Sequence, residues 1–211
     1  MESFAAKIIL LNGSSSAGKT TIAKELQKLS GDCVLFHTGV DHFWKMVPRE
    51  FYDGFGTKAH ETWFFSTSTD GENKPIVHIS VGPLGKKISN TMAQFIKCLA
   101  DNGHDTVVDE VLLDEISLQY YAQALSEHTV YFVGVECSLE ELERREKARG
   151  DRVIGLARGL INVVHEHKNY YDITVDTTQL SSAECAQNIW NAMDAMQHPQ
   201  GLRRFRLESV K

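Results

Sequence analysis

Eight residues constrain this chain more than any others. Gly13-Ser14-Ser15-Ser16-Ala17-Gly18-Lys19-Thr20 fits the pattern G-x-x-x-x-G-K-[ST] in full. The apolar run KIILLN, from Lys7 to Asn12, leads into it, and its continuity suggests a strand buried on both faces. A helical stretch from Lys19 to Leu29 leaves it, with Ile22, Leu26 and Leu29 on one face. A glycine-bearing turn between strand and helix points successive backbone N–H groups, and the positive end of the helix dipole, at one anion. Gly13 to Thr20 is therefore the expected phosphate site of ATP. Lys19 would reach the β- and γ-phosphates, and the Thr20 hydroxyl would ligate Mg2+.

The rest of the chain alternates in the same way. Further strands are expected at Cys33–Phe36, His104–Val111, Thr129–Cys137 and Asp172–Asp176. Helical patterns fall near Gly85–Ala100, Asp114–Leu125, Leu139–Arg149, Leu156–His167 and Ser182–Met196. Strands separated by helices imply right-handed crossovers, hence an α/β fold with a parallel five-stranded sheet covered by helices on both faces. The 211 residues suit one domain, read as 1–197, followed by a C-terminal tail at 198–211. Arg203, Arg204 and Arg206 make that tail basic, as a solvated end would be. One segment, 43–80, breaks the rhythm. It is rich in Gly, Ser, Thr and aromatics, including Phe51, Tyr52, Phe55, Trp63, Phe64 and Phe65. It is either an insertion packed on the scaffold or a wall of the acceptor pocket.

A formal net charge of -6 argues against nucleic acid as the main partner, because phosphate backbones are bound by surplus Lys and Arg. No apolar run has the length of a membrane span, and the N-terminal residues lack a secretory pattern. A cytoplasmic protein without membrane partners is expected. Cys33, Cys98, Cys137 and Cys185 are scattered and are expected to be buried free thiols.

The remaining candidates follow from what phosphoryl transfer needs. Asp109 ends the strand TVVDE, where a second carboxylate would hold magnesium or serve the acceptor side, unless it is simply a strand-end acid facing solvent; Glu110 points to the other side of the pleat. Asp41, in Thr38-Gly39-Val40-Asp41, lies beyond the second strand at the ligand-bearing edge of a parallel sheet. It is placed either to orient and deprotonate a hydroxyl or to cap the short helix after it. In the charged stretch 139–155, the pairs Glu140–Arg144, Glu141–Arg145 and Glu143–Lys147 have the spacing of a salt-bridged helix. Arg149 and Arg152 flank Gly150-Asp151 and suit a lid closing over phosphates. His165 and His167, two apart on an expected helix, diverge too much to share a zinc ion.

Several segments together resemble the chloramphenicol phosphotransferase family: IILLNGSSSAGKT, GVD at Asp41, VGPL around Gly82, VVDEV, FVGVEC, RREKARGDRVIGLA, HEHKNYYDITVDTT and ECA at Glu184–Ala186. They run in the family's order from about Lys7 to Trp190. The resemblance implies a P-loop kinase fold using ATP and Mg2+ to phosphorylate a primary hydroxyl of an aromatic amide antibiotic. It implies that Asp41 is the catalytic base, and it places Arg145, Arg149 and Arg152 in the lid region, with Arg145 on the nucleotide side. His165 falls in the matching VVH segment. The departures are His42-Phe43-Trp44, the segment Phe51–Lys74 and the tail Gly201–Lys211.

Two other functions fit the same loop. One is a toxin-like kinase of nucleotide sugars; the other is a non-catalytic, nucleotide-dependent binding module. A diphosphate would call for basic residues on the acceptor side. Between Phe43 and Ser80 only Lys45, Arg49, Lys58 and Lys74 stand against five acids.

Overall fold

A computed structural model of the chain describes residues 6–196 and 198–209. In chain order, β1 (Lys7–Asn12), α1 (Lys19–Leu29) and β2 (Phe36–Gly39) lead to two short helices, α2 (Val40–Trp44) and α3 (Arg49–Tyr52). Next come β3 (Trp63–Thr69), β4 (Pro75–Val81), α4 (Pro83–Asp101), β5 (Thr106–Glu110) and α5 (Glu115–Ala124). The chain continues with β6 (Thr129–Glu136), α6 (Leu139–Arg149), α7 (Leu156–Leu160), β7 (Ile173–Asp176), α8 (Ser182–Ala195) and α9 (Gly201–Glu208).

The five-stranded sheet has the order β2-β5-β1-β6-β7 and every pairing is parallel. With β1 central, its alternate residues feed two cores. Ile9 and Leu11 pack with Ile22 and Leu26 of α1 and with Cys185 and Ile189 of α8. Ile8 and Leu10 pack on the opposite face with Met92, Ile96, Leu118, Tyr121 and Phe205. This is the P-loop kinase architecture, and it sets Gly13–Thr20, Asp109 and Asp41 along one edge, where the strands end. Among the described residues no helix is long and apolar enough to cross a membrane.

Several expectations are corrected. The second strand begins at Phe36 rather than Cys33; Val34 is 74% exposed, so the apolar Cys33-Val34-Leu35 run is mostly not a core strand. The shifted strand pairs Gly39 with Asp109, which carries Asp41 to the site edge. The expected helix Leu156–His167 stops at Leu160 and continues as turns, in which the Val164 carbonyl accepts from the buried Asn12 side chain. His165 and His167 therefore do not lie on a helix. Leu29 stands at the rim of the α1 core face, partly exposed, and Cys33 and Cys98 are exposed while Cys137 and Cys185 are buried.

The tail is not a solvated end. Asp172 Oδ1 accepts from the backbone N–H groups of Gln200 and Gly201 at 2.7 and 2.8 Å, fixing the start of α9. Leu202 and Phe205 then bury themselves, worth about 1.5–3 kcal/mol for each fully buried apolar side chain. Arg203 and Arg204 stay on the outer side.

Segment 43–80 holds the largest surprise: β3 and β4 form an antiparallel hairpin paired from Trp63–Val81 to Thr69–Pro75. Its inner face joins Phe65 and Val77 to Leu156, Leu160 and Val164 in a third cluster. On α6, Glu141 binds both Arg144 and Arg145, and Glu143 turns to Arg158, so the expected pairs Glu140–Arg144 and Glu143–Lys147 do not form.

Candidate active site

The loop after β1 is shaped by steric demands. A Cβ on Gly13 would come within 2.4 Å of the Val135 carbonyl, and Gly18 adopts φ 93°, where an L side chain is strained. Ser16 takes φ 65° without being glycine, a local strain concentrated in the loop. Lys19 is buried and its ammonium donates to the carbonyls of Gly13 and Ser14, both at 2.9 Å. Burial pushes this ammonium below its ordinary pKa, with Asp109 foremost, and then Asp41, pulling it back up. Ser14 Oγ and Ser16 Oγ are buried without a hydrogen-bond partner among the described residues. Buried hydroxyls normally find partners. A phosphate seated in the loop would supply acceptors for them, so the residues present fit a nucleotide phosphate.

Beside the loop, Thr20 Oγ1 donates to Asp109 Oδ2, and Asp109 Oδ1 lies 3.9 Å from Lys19 Nζ. One hydroxyl and one carboxylate at a phosphate loop match the sparse oxygen donors that Mg2+ takes from protein, since it keeps waters and phosphate oxygens as its other ligands. Thr20 and Asp109 thus fit that ion. Glu110 faces away, as the pleat requires. It is buried, with Oε1 accepting from the Tyr121 hydroxyl at 2.8 Å and Oε2 from the Val111 N–H at 2.7 Å. Burial pushes its carboxyl up to about 7 despite both hydrogen bonds.

Asn12 braces the loop's first turn. Its side chain donates to Val164 O at 2.6 Å and to the Tyr171 hydroxyl at 2.9 Å, and accepts from Leu112 N–H at 2.9 Å. His165 Nδ1 meets the same Tyr171 hydroxyl at 2.8 Å, which places His165 in the support behind the loop. Sequence reasoning missed this network.

Asp41 sits inside the first turn of α2. The N-cap is Gly39 and no side chain caps that helix, so Asp41 is not its cap. Its carboxylate lies 3.6 Å from Arg152 Nη2. Asp41 and Arg152 share a cavity of about 700 Å3 with Lys19, Thr20, Asp109 and Arg149. Arg149 is paired with Asp151 at 3.2 Å. Arg145 is placed differently: it donates to Thr177 O at 2.7 Å, to Thr177 Oγ1 at 3.1 Å and to Ser16 O at 3.4 Å. It braces the loop against the segment after β7.

The far wall of the cavity is aromatic. Trp44 stands 5.4 Å from Trp63 and 6.2 Å from Phe65, ring centre to ring centre, and Tyr52 completes the lining. Of the other aromatics expected there, Phe55 and Phe64 are largely exposed and Phe51 lies under the Lys58 ammonium. Trp44 belongs to the unusual His42-Phe43-Trp44 triplet; Phe43 turns away onto Phe95. The arrangement can hold an anionic phosphate chain at one end and an apolar ring at the other, with a carboxylate between them.

Comparison with known proteins accords with this geometry. A family model described as "Chloramphenicol phosphotransferase-like protein" matches residues 6–194. A Mycobacterium tuberculosis protein provisionally named an O-phosphotransferase, found in two strains, is 34% identical over 201 residues, which is 95% of this chain and 88% of that protein. Two solved structures share the fold at low identity. The Mycobacterium tuberculosis APS kinase CysC, in complex with AMPPNP and APS, has a TM-score of 0.59 at 17% identity, covering 90% of this chain and 98% of its own. Shikimate kinase from Acinetobacter baumannii, in complex with shikimate, has a TM-score of 0.60 at 13% identity, covering 92% and 95%.

Proposed function

This chain belongs to the chloramphenicol phosphotransferase-like family, and on that footing we propose that it transfers the γ-phosphoryl group of ATP to a hydroxyl of a small molecule, with Mg2+ as the metal. One observation carries the reading: a single cavity is lined by Lys19, Thr20 and Asp109 and also by Asp41, Arg149 and Arg152. In this reading the N–H groups of Gly13 to Thr20 and the Lys19 ammonium bind the β- and γ-phosphates. Thr20 and Asp109 would hold the metal, which would supply positive charge to the phosphate oxygens when bound. Asp41 orients the acceptor hydroxyl and takes its proton. Arg149 and Arg152 neutralise charge developing on the transferred group, and Arg145 keeps the loop in place beside the nucleotide. APS kinase, which shares the fold, was solved in complex with AMPPNP, and this supports a nucleotide as a ligand here.

For the acceptor we propose a small, largely uncharged molecule with an apolar or aromatic portion. Trp44, Tyr52, Trp63 and Phe65 would position it and keep out the water that would otherwise be phosphorylated. The cavity's arginines are already matched: Arg49 with Asp53 at 3.8 Å, Arg149 with Asp151 and Arg152 with Asp41. With Arg149 and Arg152 assigned to the transferred group, Arg49 and Lys45 are the cavity cations left on the acceptor side, little positive charge for a second diphosphate, which disfavours a nucleotide sugar. Chloramphenicol meets the description and is the first compound to test; inactivation of an antibiotic in the cytoplasm is the corresponding physiological role. The test follows labelled γ-phosphate from magnesium-ATP onto amino-alcohol antibiotics, sugars, nucleosides and nucleotide sugars. Transfer to a neutral aromatic alcohol is expected. Transfer only to nucleotide sugars would overturn the acceptor class, and failure to bind ATP would overturn the whole reading.

A further inference from the structure

The turn joining β3 to β4 is built around Asp70. Its Oδ1 accepts from the backbone N–H groups of Glu72 and Lys74, both at 2.9 Å. Its Oδ2 accepts from Arg158 Nη1 at 2.8 Å, a contact spanning 88 residues of chain. The second arm of the same guanidinium, Nη2, binds Glu143 on the lid helix α6. The Arg158 side chain is only 16% exposed, which separates this triad from loose surface pairs. A planar guanidinium presents donors in a fixed fork, so one side chain can fix two partners in a set relation.

Beneath the fork, backbone packs on backbone. The Val77 N–H donates to Gly155 O at 3.0 Å. A Cβ on Gly155 would meet Pro75 O at 2.5 Å, and one on Gly159 would meet Val77 O at 1.8 Å. Glu146, 1% exposed, accepts from the N–H groups of Gly155 and Ala157 at 2.8 and 2.9 Å and so closes the loop between α6 and α7 at its root. That loop carries Arg152. The hairpin that backs it also supplies Trp63, Phe65 and Ile79 to the acceptor side of the cavity.

We infer that Arg158 is a positioning residue: by tying the Asp70 turn to Glu143 it makes hairpin, α7 and lid loop one body, and this holds Arg152 at the Asp41 side of the cavity. The acceptor wall and the lid arginine are then placed by the same element. The catalytic consequence rests on the phosphotransferase reading; the mechanical link does not.

The test uses Asp70→Asn, which keeps an oxygen for the turn N–H groups and removes the charge that Arg158 binds, with Arg158→Gln alongside. In protein without ligand, trypsin cleavage of the Arg152–Val153 bond should quicken by about fivefold, because cleavage follows the population of the locally opened loop. Cleavage outside the 149–159 stretch and the melting temperature should stay near wild type. With magnesium-ATP and an accepted alcohol, kcat should fall by about fivefold while KM for ATP stays within about twofold. Cleavage at the wild-type rate would overturn the inference. So would faster cleavage at every site with a lowered melting temperature, the mark of general destabilisation, or faster local cleavage with unchanged kcat. Faster local cleavage in a chain whose wild type phosphorylates no alcohol would uphold the link and remove the phosphotransferase reading instead.

Discussion

The buried carboxyl of Glu110 should make the protein's stability fall as pH rises, and Glu110→Gln should remove that dependence. In the folded chain this group is pushed from its ordinary 4.5 to about 7 by burial. Between those two values the folded form keeps a proton that the unfolded form has released. Unfolding therefore releases a proton, and raising pH favours unfolding. The displacement corresponds to about 3 kcal/mol, present in full below the unfolded pKa and lost as pH rises through about 7. Glutamine can still accept from the Tyr121 hydroxyl, but its amide meets the Val111 N–H donor, a loss of about 1 kcal/mol. Urea denaturation at pH 5, 6, 7 and 8 measures the outcome. The variant should be about as stable as wild type at pH 5 and more stable at pH 8, the difference changing by about 2.5 kcal/mol across the range. Taking differences removes groups common to both proteins, such as His37 and His165, which burial holds below the ordinary histidine value. Stability curves that stay parallel would refute the reasoning.

Lys19→Ala should abolish ATP binding in calorimetry with little loss of secondary structure, because its ammonium binds the loop carbonyls rather than either core and, in the proposed function, the phosphates; normal affinity would sink the phosphate-loop assignment. Arg149→Ala and Arg152→Ala should each lower turnover far more than melting temperature, since both lie on the cavity wall in partly exposed ion pairs. The reverse pattern would make them structural. Gly159→Ala should cost about 3 kcal/mol or more in denaturant unfolding, because the new methyl would have to displace the Val77 carbonyl on β4; a near-neutral result would show that α7 is not seated on the hairpin as described.

The parts of this molecule governed by local chemistry were legible in its sequence. The Gly13–Thr20 loop, the doubly buried β1 and the alternation of strands and helices follow from glycine sterics, capping and periodicity, and they yield the observed sheet. Asp109 and Asp41 could be found because strand ends in a parallel sheet share one edge. Other features depended on tertiary partners. Cys33-Val34-Leu35 looks like a strand until the true pairing with β5 places it at the entrance. The tail reads as a charged end because its two anchors, Leu202 and Phe205, become meaningful only against the α5 face and Asp172. The hairpin did leave a signal: β-rich WFFSTST, the turn residues Asp70-Gly71 and Asn73, and the alternating Val77, Ile79 and Val81. Its Gly, Ser, Thr and aromatic content reads instead as an irregular insertion or a pocket wall. Arg158 and Glu146 left none, because a cation and an acid in charged helical stretches look like solvated surface until their partners across the fold are known.

Asp41 is proposed to face the phosphate loop as the base for an acceptor hydroxyl, and one comparison tests this role most directly. Wild type and Asp41→Asn are given labelled magnesium-ATP and the acceptor found in the screen, and both nucleotide affinity and labelled product are measured. Unchanged ATP affinity with transfer reduced by about two to four orders of magnitude is predicted, the usual worth of a positioned general base. Transfer near the wild-type rate would contradict the account, whatever happened to stability.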